Sequence, residues 1–141
     1  MESVDTKSVE TNDYDVVLDY YAATGLLSTF LAAFNGENVQ RRRSILHDKM
    51  NSEIVSPNLS ITNDATLEKG MYSAKCDGEG TVSKKTNLVE NGVLKSFMYD
   101  IYTANKENTT STGNGYRNSY LSTPSVSPSN IILDFDAVSY T

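Results

Sequence analysis

An α+β fold is what this sequence predicts: mainly short antiparallel strands, one substantial helix over about 21–34, and long loops. Three observations carry that reading. An Asn91-Gly92 pair separates two apolar runs. It is the strongest short-range hairpin signal, because both turn positions need positive φ and these residues tolerate it best. Leu27, Phe30, Leu31 and Phe34 fall at i, i+3, i+4 and i+7, an apolar stripe along one helix face. Ser, Thr and Asn are abundant and Trp is absent, the composition of a loop-rich chain.

In chain order, residues 6–11 and 14–19 read as two strands about a polar turn at Asn12-Asp13. Val16, Val17 and Leu18 form a short apolar run of the kind covered on both faces. The helix follows, and Asn35-Gly36 supplies its stop. Arg41-Arg42-Arg43 is the one cationic run of three. Such runs are ordinarily a solvated face, although an arginine also suits a peptide carboxylate or an acidic partner. His47, the lone histidine, stands beside Asp48 with no second His or Cys near it, which reads as a surface residue rather than a metal ligand.

Residues 53–55 and 58–62 look extended, with Pro57 disfavouring helix. Asn63-Asp64 is turn chemistry, and Lys69-Gly70 opens a loop toward Cys76-Asp77-Gly78-Glu79-Gly80. Two carboxylates two residues apart between glycines suit a cation or proton transfer. They equally fix a tight turn by accepting from backbone amides, and this structural role is favoured. Cys76 reads as a small packed residue, since no His or Asn pattern activates it.

The hairpin strand at 86–90 returns at 93–101. Val93, Lys95, Phe97, Tyr99 and Ile101 share one face, and Leu94 and Met98 lie on the other, so both faces pack. Asp100 caps a short helix over about 101–107. Ser111-Thr112-Gly113-Asn114-Gly115 is a glycine-rich loop, but without Gly-Lys-Ser/Thr it is no phosphate cradle, and it is not a Rossmann fingerprint. Pro124 and Pro128 stand in a Ser/Thr-rich linker, and a last strand is expected at 130–135.

Composition excludes several classes. A chain of 141 residues makes one domain with a modest core. A net charge of -6 argues against nucleic acid, whose affinity comes mainly from Lys and Arg. One cysteine permits no internal disulfide. The acidic, polar start is wrong for a signal peptide, and no apolar run approaches the roughly 20 residues that span a bilayer. A cytoplasmic chain with no membrane partner is expected.

The segment ENGVLKSFMYDIYTANK followed by STGNGYR resembles the TldD/PmbA family. That family was first labelled a modulator of DNA gyrase and is described as a metallopeptidase family acting on unfolded peptides. LSITNDATL, the Asp-x-Glu-Gly of 77–80 and SPSNIIL extend the resemblance over roughly 14–135. Metal-binding members carry His-Glu-x-x-x-His on the first helix. Anchored on Gly25-Leu26-Leu27, the corresponding positions are Ser28, Thr29 and Ala33, which supply neither zinc ligands nor a catalytic carboxylate.

The resemblance therefore implies the PmbA-like (TldE-like) non-metal subunit, with zinc in a TldD-like partner subunit and unfolded peptide as the shared ligand. It implies no catalytic residue, metal or cofactor in this chain, and no cleavage by it alone. It marks Arg41, Asp77, Glu79, Gly80, Thr112, Gly113 and Asn114 as motif or contact positions. Two alternatives stay open: a metallopeptidase subunit with its own metal site, and a gyrase-modulating interaction protein. It also implies that residues 1–141 are one domain fragment, the central portion of a larger protein, without the family's N-terminal domain and C-terminal region. Strand edges uncovered by truncation would then drive self-association of the fragment into homo-oligomers.

Overall fold

Asn91 and Gly92 form the hairpin turn with φ of 48° and 80°, the left-handed pair a two-residue loop requires. A computed structural model describes residues 8–135 of the chain. Its helices are α1 (Tyr20–Leu31), α2 (Gly36–Gln40) and α3 (Ile101–Lys106). Its strands are β1 (Leu59–Asp64), β2 (Lys85–Glu90), β3 (Val93–Leu94), β4 (Gly115–Tyr116), β5 (Ser125–Val126) and β6 (Asn130–Phe135). Antiparallel pairs build a four-stranded sheet in the order β3-β2-β1-β6, and β4 pairs β5 separately. The architecture is α+β. Leu88, Val89, Leu94, Met98, Phe97, Ile61 and Phe34 form the centre of the buried cluster.

The return strand is shorter than the alternation predicts. β3 holds two residues, paired Val89↔Leu94 and Glu90↔Val93. Just beyond it Lys95 N still donates to Leu88 O of β2 at 2.9 Å, but then the backbone finds other partners: Met98 N donates to Phe34 O at 2.8 Å, and Gly36 N to Met98 O at 2.9 Å. The segment after α1 thus takes the backbone groups that a longer β3 would have offered to β2. Side chains of both faces still pack, with Leu94, Phe97 and Met98 all buried.

The first helix ends earlier, and differently, than its stripe implies. α1 stops at Leu31, a 3-10 turn covers Ala32–Phe34, and Asn35 caps α2 by accepting from Glu37 N at 2.8 Å. Asn35 thus stops the helical run at Phe34, as expected, and also starts a second helix. Gly36 is needed for close approach: a Cβ there would sit 2.5 Å from Tyr99 Cδ1. Of the stripe, only Phe34 is buried; no residue of α1 is. Leu27, Phe30 and Leu31 instead face Ile45, Leu59 and Leu133 across an apolar cavity of about 240 Å³.

No strand forms over 8–19, and residues 6 and 7 lie outside the described residues. Val9, Val16 and Val17 are exposed, and no described segment offers them a ladder, so an apolar run alone does not make a strand there. Asp19, expected at the end of a strand, instead caps α1 by accepting from Ala22 N at 2.7 Å. The linker over 124–128 contributes β5.

Asn63 is a buried strand residue rather than part of a turn; its Oδ1 accepts from Ser129 N at 2.7 Å. The turn begins with Asp64, whose Oδ1 accepts from Thr66 Oγ1 at 2.6 Å and Thr66 N at 2.8 Å. These bonds, that of the hydroxyl first, hold the Asp64 carboxyl below its ordinary 3.8 against the opposing effect of desolvation. A depressed folded pKa gives stability that is present above the unfolded value and lost as pH falls through the folded one. Asp64→Asn should therefore flatten the loss of stability below about pH 4. Urea midpoints measured across that range check it; parallel curves for the two proteins would refute it.

Candidate functional site

The turn of 77–81 and the loop of 111–115 meet through backbone amides that need an acceptor. Asp77 answers three of them. Its Oδ1 accepts from Glu79 N and Thr81 N, both at 2.9 Å, and its Oδ2 accepts from Gly115 N at 2.9 Å. Gly78 N donates to Gly115 O at 2.6 Å, and Arg117 Nε to Gly78 O at 2.9 Å. Gly80 closes the turn with φ 84°. Glu79 reaches elsewhere: its Oε2 accepts from Ile101 N at 2.8 Å. That amide opens α3, where the chain has no helical partner for it and the helix dipole favours an anion. Asp100 completes the cap with a capping box to Thr103.

The glycine-rich loop turns its polar side chains inward. The Thr112 hydroxyl accepts from Tyr99 N at 2.7 Å and lies 2.7 Å from Asn114 Oδ1, to which it donates. Asn114 Nδ2 donates to Ser127 O at 2.8 Å, and Gly113 N to Ser111 Oγ at 3.1 Å. Thr112 and Asn114 are both buried. Asp77, Glu79, Thr112, Gly113 and Asn114 thus belong to one hydrogen-bonded brace around Tyr99, Ile101 and Gly115. Two carboxylates occupied in this way hold backbone in place. Each still has capacity for a further bond, Glu79 through its Oε1.

The remaining candidates are not part of that brace. Arg41 pairs with Glu37 on α2 at 2.7 Å, both side chains being exposed, a surface pair of small energetic weight. Ser28 Oγ and Thr29 Oγ1 donate back to Gly25 O on α1, at 2.7 and 3.4 Å. Ala33 lines the apolar cavity. These positions do not fit a zinc ion: two hydroxyls engaged with the helix backbone and a methyl group provide no thiolate, imidazole or carboxylate. Cys76 is an exposed free thiol rather than a packed one.

Two recesses flank Tyr99. A cleft of about 720 Å³ takes in Gln40, Arg42, His47, Phe97 and Glu107. His47 is half-buried, with Nε2 3.0 Å from Asp48 Oδ2 but not aligned for a hydrogen bond. Burial, and then the Glu107 carboxylate, push the Tyr99 hydroxyl above its usual pKa. A smaller polar recess of about 290 Å³ takes in Lys84, Lys85, Thr86 and Ser96. Neither recess is legible in the sequence, because each is assembled from segments far apart in the chain. The only local trace of the second is the pair of adjacent lysines before β2.

Residues 11–140 match the PmbA/TldA metallopeptidase C-terminal domain family. Over 135 residues the chain is 50% identical to an uncharacterized protein of Methanocaldococcus jannaschii, covering 89% of this chain and 32% of that relative. Among solved structures it is similar to TldE from Thermococcus kodakarensis, with a TM-score of 0.68 and 29% identity over 74% of this chain and 24% of that one. It is also similar to a proposed modulator of a DNA gyrase from Thermotoga maritima, with a TM-score of 0.70 and 33% identity over 77% of this chain and 24% of that one. The chain thus spans about a third of the curated relative and about a quarter of each solved structure.

Proposed function

The chain belongs to the PmbA/TldD metallopeptidase family, and from that premise we propose that it acts as the TldE-like, non-metal member of a peptidase pair that processes unfolded peptides. The observation that carries this reading is the chemistry of α1. Where the family's metal-binding helix needs two imidazoles and a carboxylate, α1 offers Ser28 and Thr29 and the 3-10 turn after it Ala33, and the two hydroxyls are bonded to Gly25 O. Similarity to TldE from Thermococcus kodakarensis supports the same assignment. Zinc and the catalytic base then belong to a TldD-like partner subunit, and this chain contributes shape and peptide contacts. The braced loops of 77–81 and 111–115 are read as the rigid wall of that shared chamber, and the cytoplasm as its compartment. No helix among the described residues is long and apolar enough to cross a membrane.

The test has two arms. Metal-loaded, desalted protein should hold far less than one zinc per chain; a stoichiometric zinc lost on replacing His47 or Cys76 would overturn the assignment. Incubated alone with an unfolded peptide, the protein should yield no fragments by mass spectrometry, whereas addition of a TldD-like subunit should yield metal-dependent cleavage. The gyrase reading draws on the similarity to the proposed gyrase modulator of Thermotoga maritima. Gyrase binding without any peptide cleavage in the paired complex would favour it.

A further inference from the structure

In a chain of net charge -6, the recess at the start of β2 stands out by its lining. Lys84, Lys85, Thr86, Ser96, Thr109 and Thr110 contribute two cations and four hydroxyls, and no carboxylate lines it. Glu107 lines the adjoining cleft, which shares Tyr99 with this recess. Lys84 is held in place by donating to Ser111 O at 2.7 Å, which leaves its ammonium two further protons to donate. Lys85 faces Asp64 across the ladder and is the last and smallest of the causes that lower that carboxyl, whose Oδ1 is bonded to Thr66.

Thr86 supplies the second, independent observation. It is 9% exposed, and its Oγ1 is buried with no hydrogen-bond partner in the chain. Its ladder partner is Asn63, 0% exposed, whose Nδ2 is likewise buried and unpaired. Burying an unsatisfied polar atom is costly, and nearly all such atoms in folded proteins have a partner. Two of them on neighbouring strands, one beside a recess lined by lysines and hydroxyls, call for a ligand that accepts hydrogen bonds and carries negative charge.

We propose that this recess binds a small oxyanion, a phosphate or carboxylate group. Lys84 and Lys85 supply the charge, and the hydroxyls of Thr86, Ser96, Thr109 and Thr110 supply the hydrogen bonds. The site is separate from the α1 positions and does not depend on the peptidase reading. It is tested by titrating the chain with inorganic phosphate at constant ionic strength and following amide ¹⁵N–¹H shifts. Saturable shifts are expected at Lys84, Lys85, Thr86, Thr109 and Thr110.

Thr86→Val removes the unpaired hydroxyl while keeping the side chain's shape and strand preference, so it folds, and it should weaken phosphate about tenfold. Lys84→Met with Lys85→Met should abolish saturation. Lys95→Met, an exposed lysine after the hairpin, should change nothing. A parallel acetate titration separates the sources: tighter phosphate indicates a phosphoryl ligand, tighter acetate a carboxylate. Shifts that fail to saturate, that scatter over all lysines, or that persist unchanged in Thr86→Val would overturn the proposal. Thermal unfolding with and without phosphate gives a second readout, in which the stabilisation seen for the native chain should vanish in the double lysine variant.

Discussion

Gly92→Val should destabilise the chain by about 3–5 kcal/mol, more than turn chemistry alone implies. A β-branched residue at φ 80° is strained by roughly 1–3 kcal/mol. The tertiary setting adds to it. A Cβ on Gly92 would lie 2.6 Å from Val55 O and 2.9 Å from Pro57 Cα. Gly92 N donates to Leu59 O at 2.9 Å, and Gly92 O accepts from Ile54 N at 2.9 Å. The backbone therefore cannot move away without releasing those bonds. The measurement is the urea midpoint and its slope. Asn91→Gly, which keeps the permissive geometry, is the control and should stay close to native. A Gly92→Val midpoint equal to the native one would refute both the turn and the packing of 54–59 against it.

Asp77→Ala should cost about 2–4 kcal/mol, because it strips the acceptor from the amides of Glu79, Thr81 and Gly115 together. The loss is less than three separate bonds would sum to, since freed amides at a partly exposed turn recover water. Asp77→Asn should fall between the two proteins. It keeps one oxygen for Glu79 and Thr81 and places an NH₂ against Gly115 N–H. Hydrogen exchange locates the effect: protection should drop at Gly115, and at Ile101 once the Glu79 turn loosens, while Leu88 stays protected. If Asp77→Ala leaves Gly115 protected and the midpoint unchanged, the carboxylate does not brace these loops and is free for other chemistry.

The candidate residues divide along the same line as the fold. The Asp-x-Glu-Gly motif was legible as a pair of carboxylates with either a structural or a chemical use. Nothing in its spacing shows that one carboxylate reaches Gly115 and the other the first amide of α3. Thr112 and Asn114 look like loop residues open to a ligand, yet both are buried against Tyr99 and Ser127. Arg41 stands outside the brace, in an exposed pair with Glu37 one helical turn away.

The sequence by itself determined the turn at Asn91-Gly92, the cap of α3 at Asp100 and the absence of metal-ligand side chains on α1. Each is set by one residue's φ preference, by one side chain within reach of its own backbone, or by side-chain chemistry, so neighbours in sequence suffice. Only the tertiary structure decided the length of β3, the exposed course of 8–19, the face of α1 left beside an open cavity, and the recess at Thr86. Those outcomes depend on which distant backbone group reaches a donor first. Met98 belongs to Phe34 and Gly36 rather than to β2, and no periodicity within 93–101 records that competition.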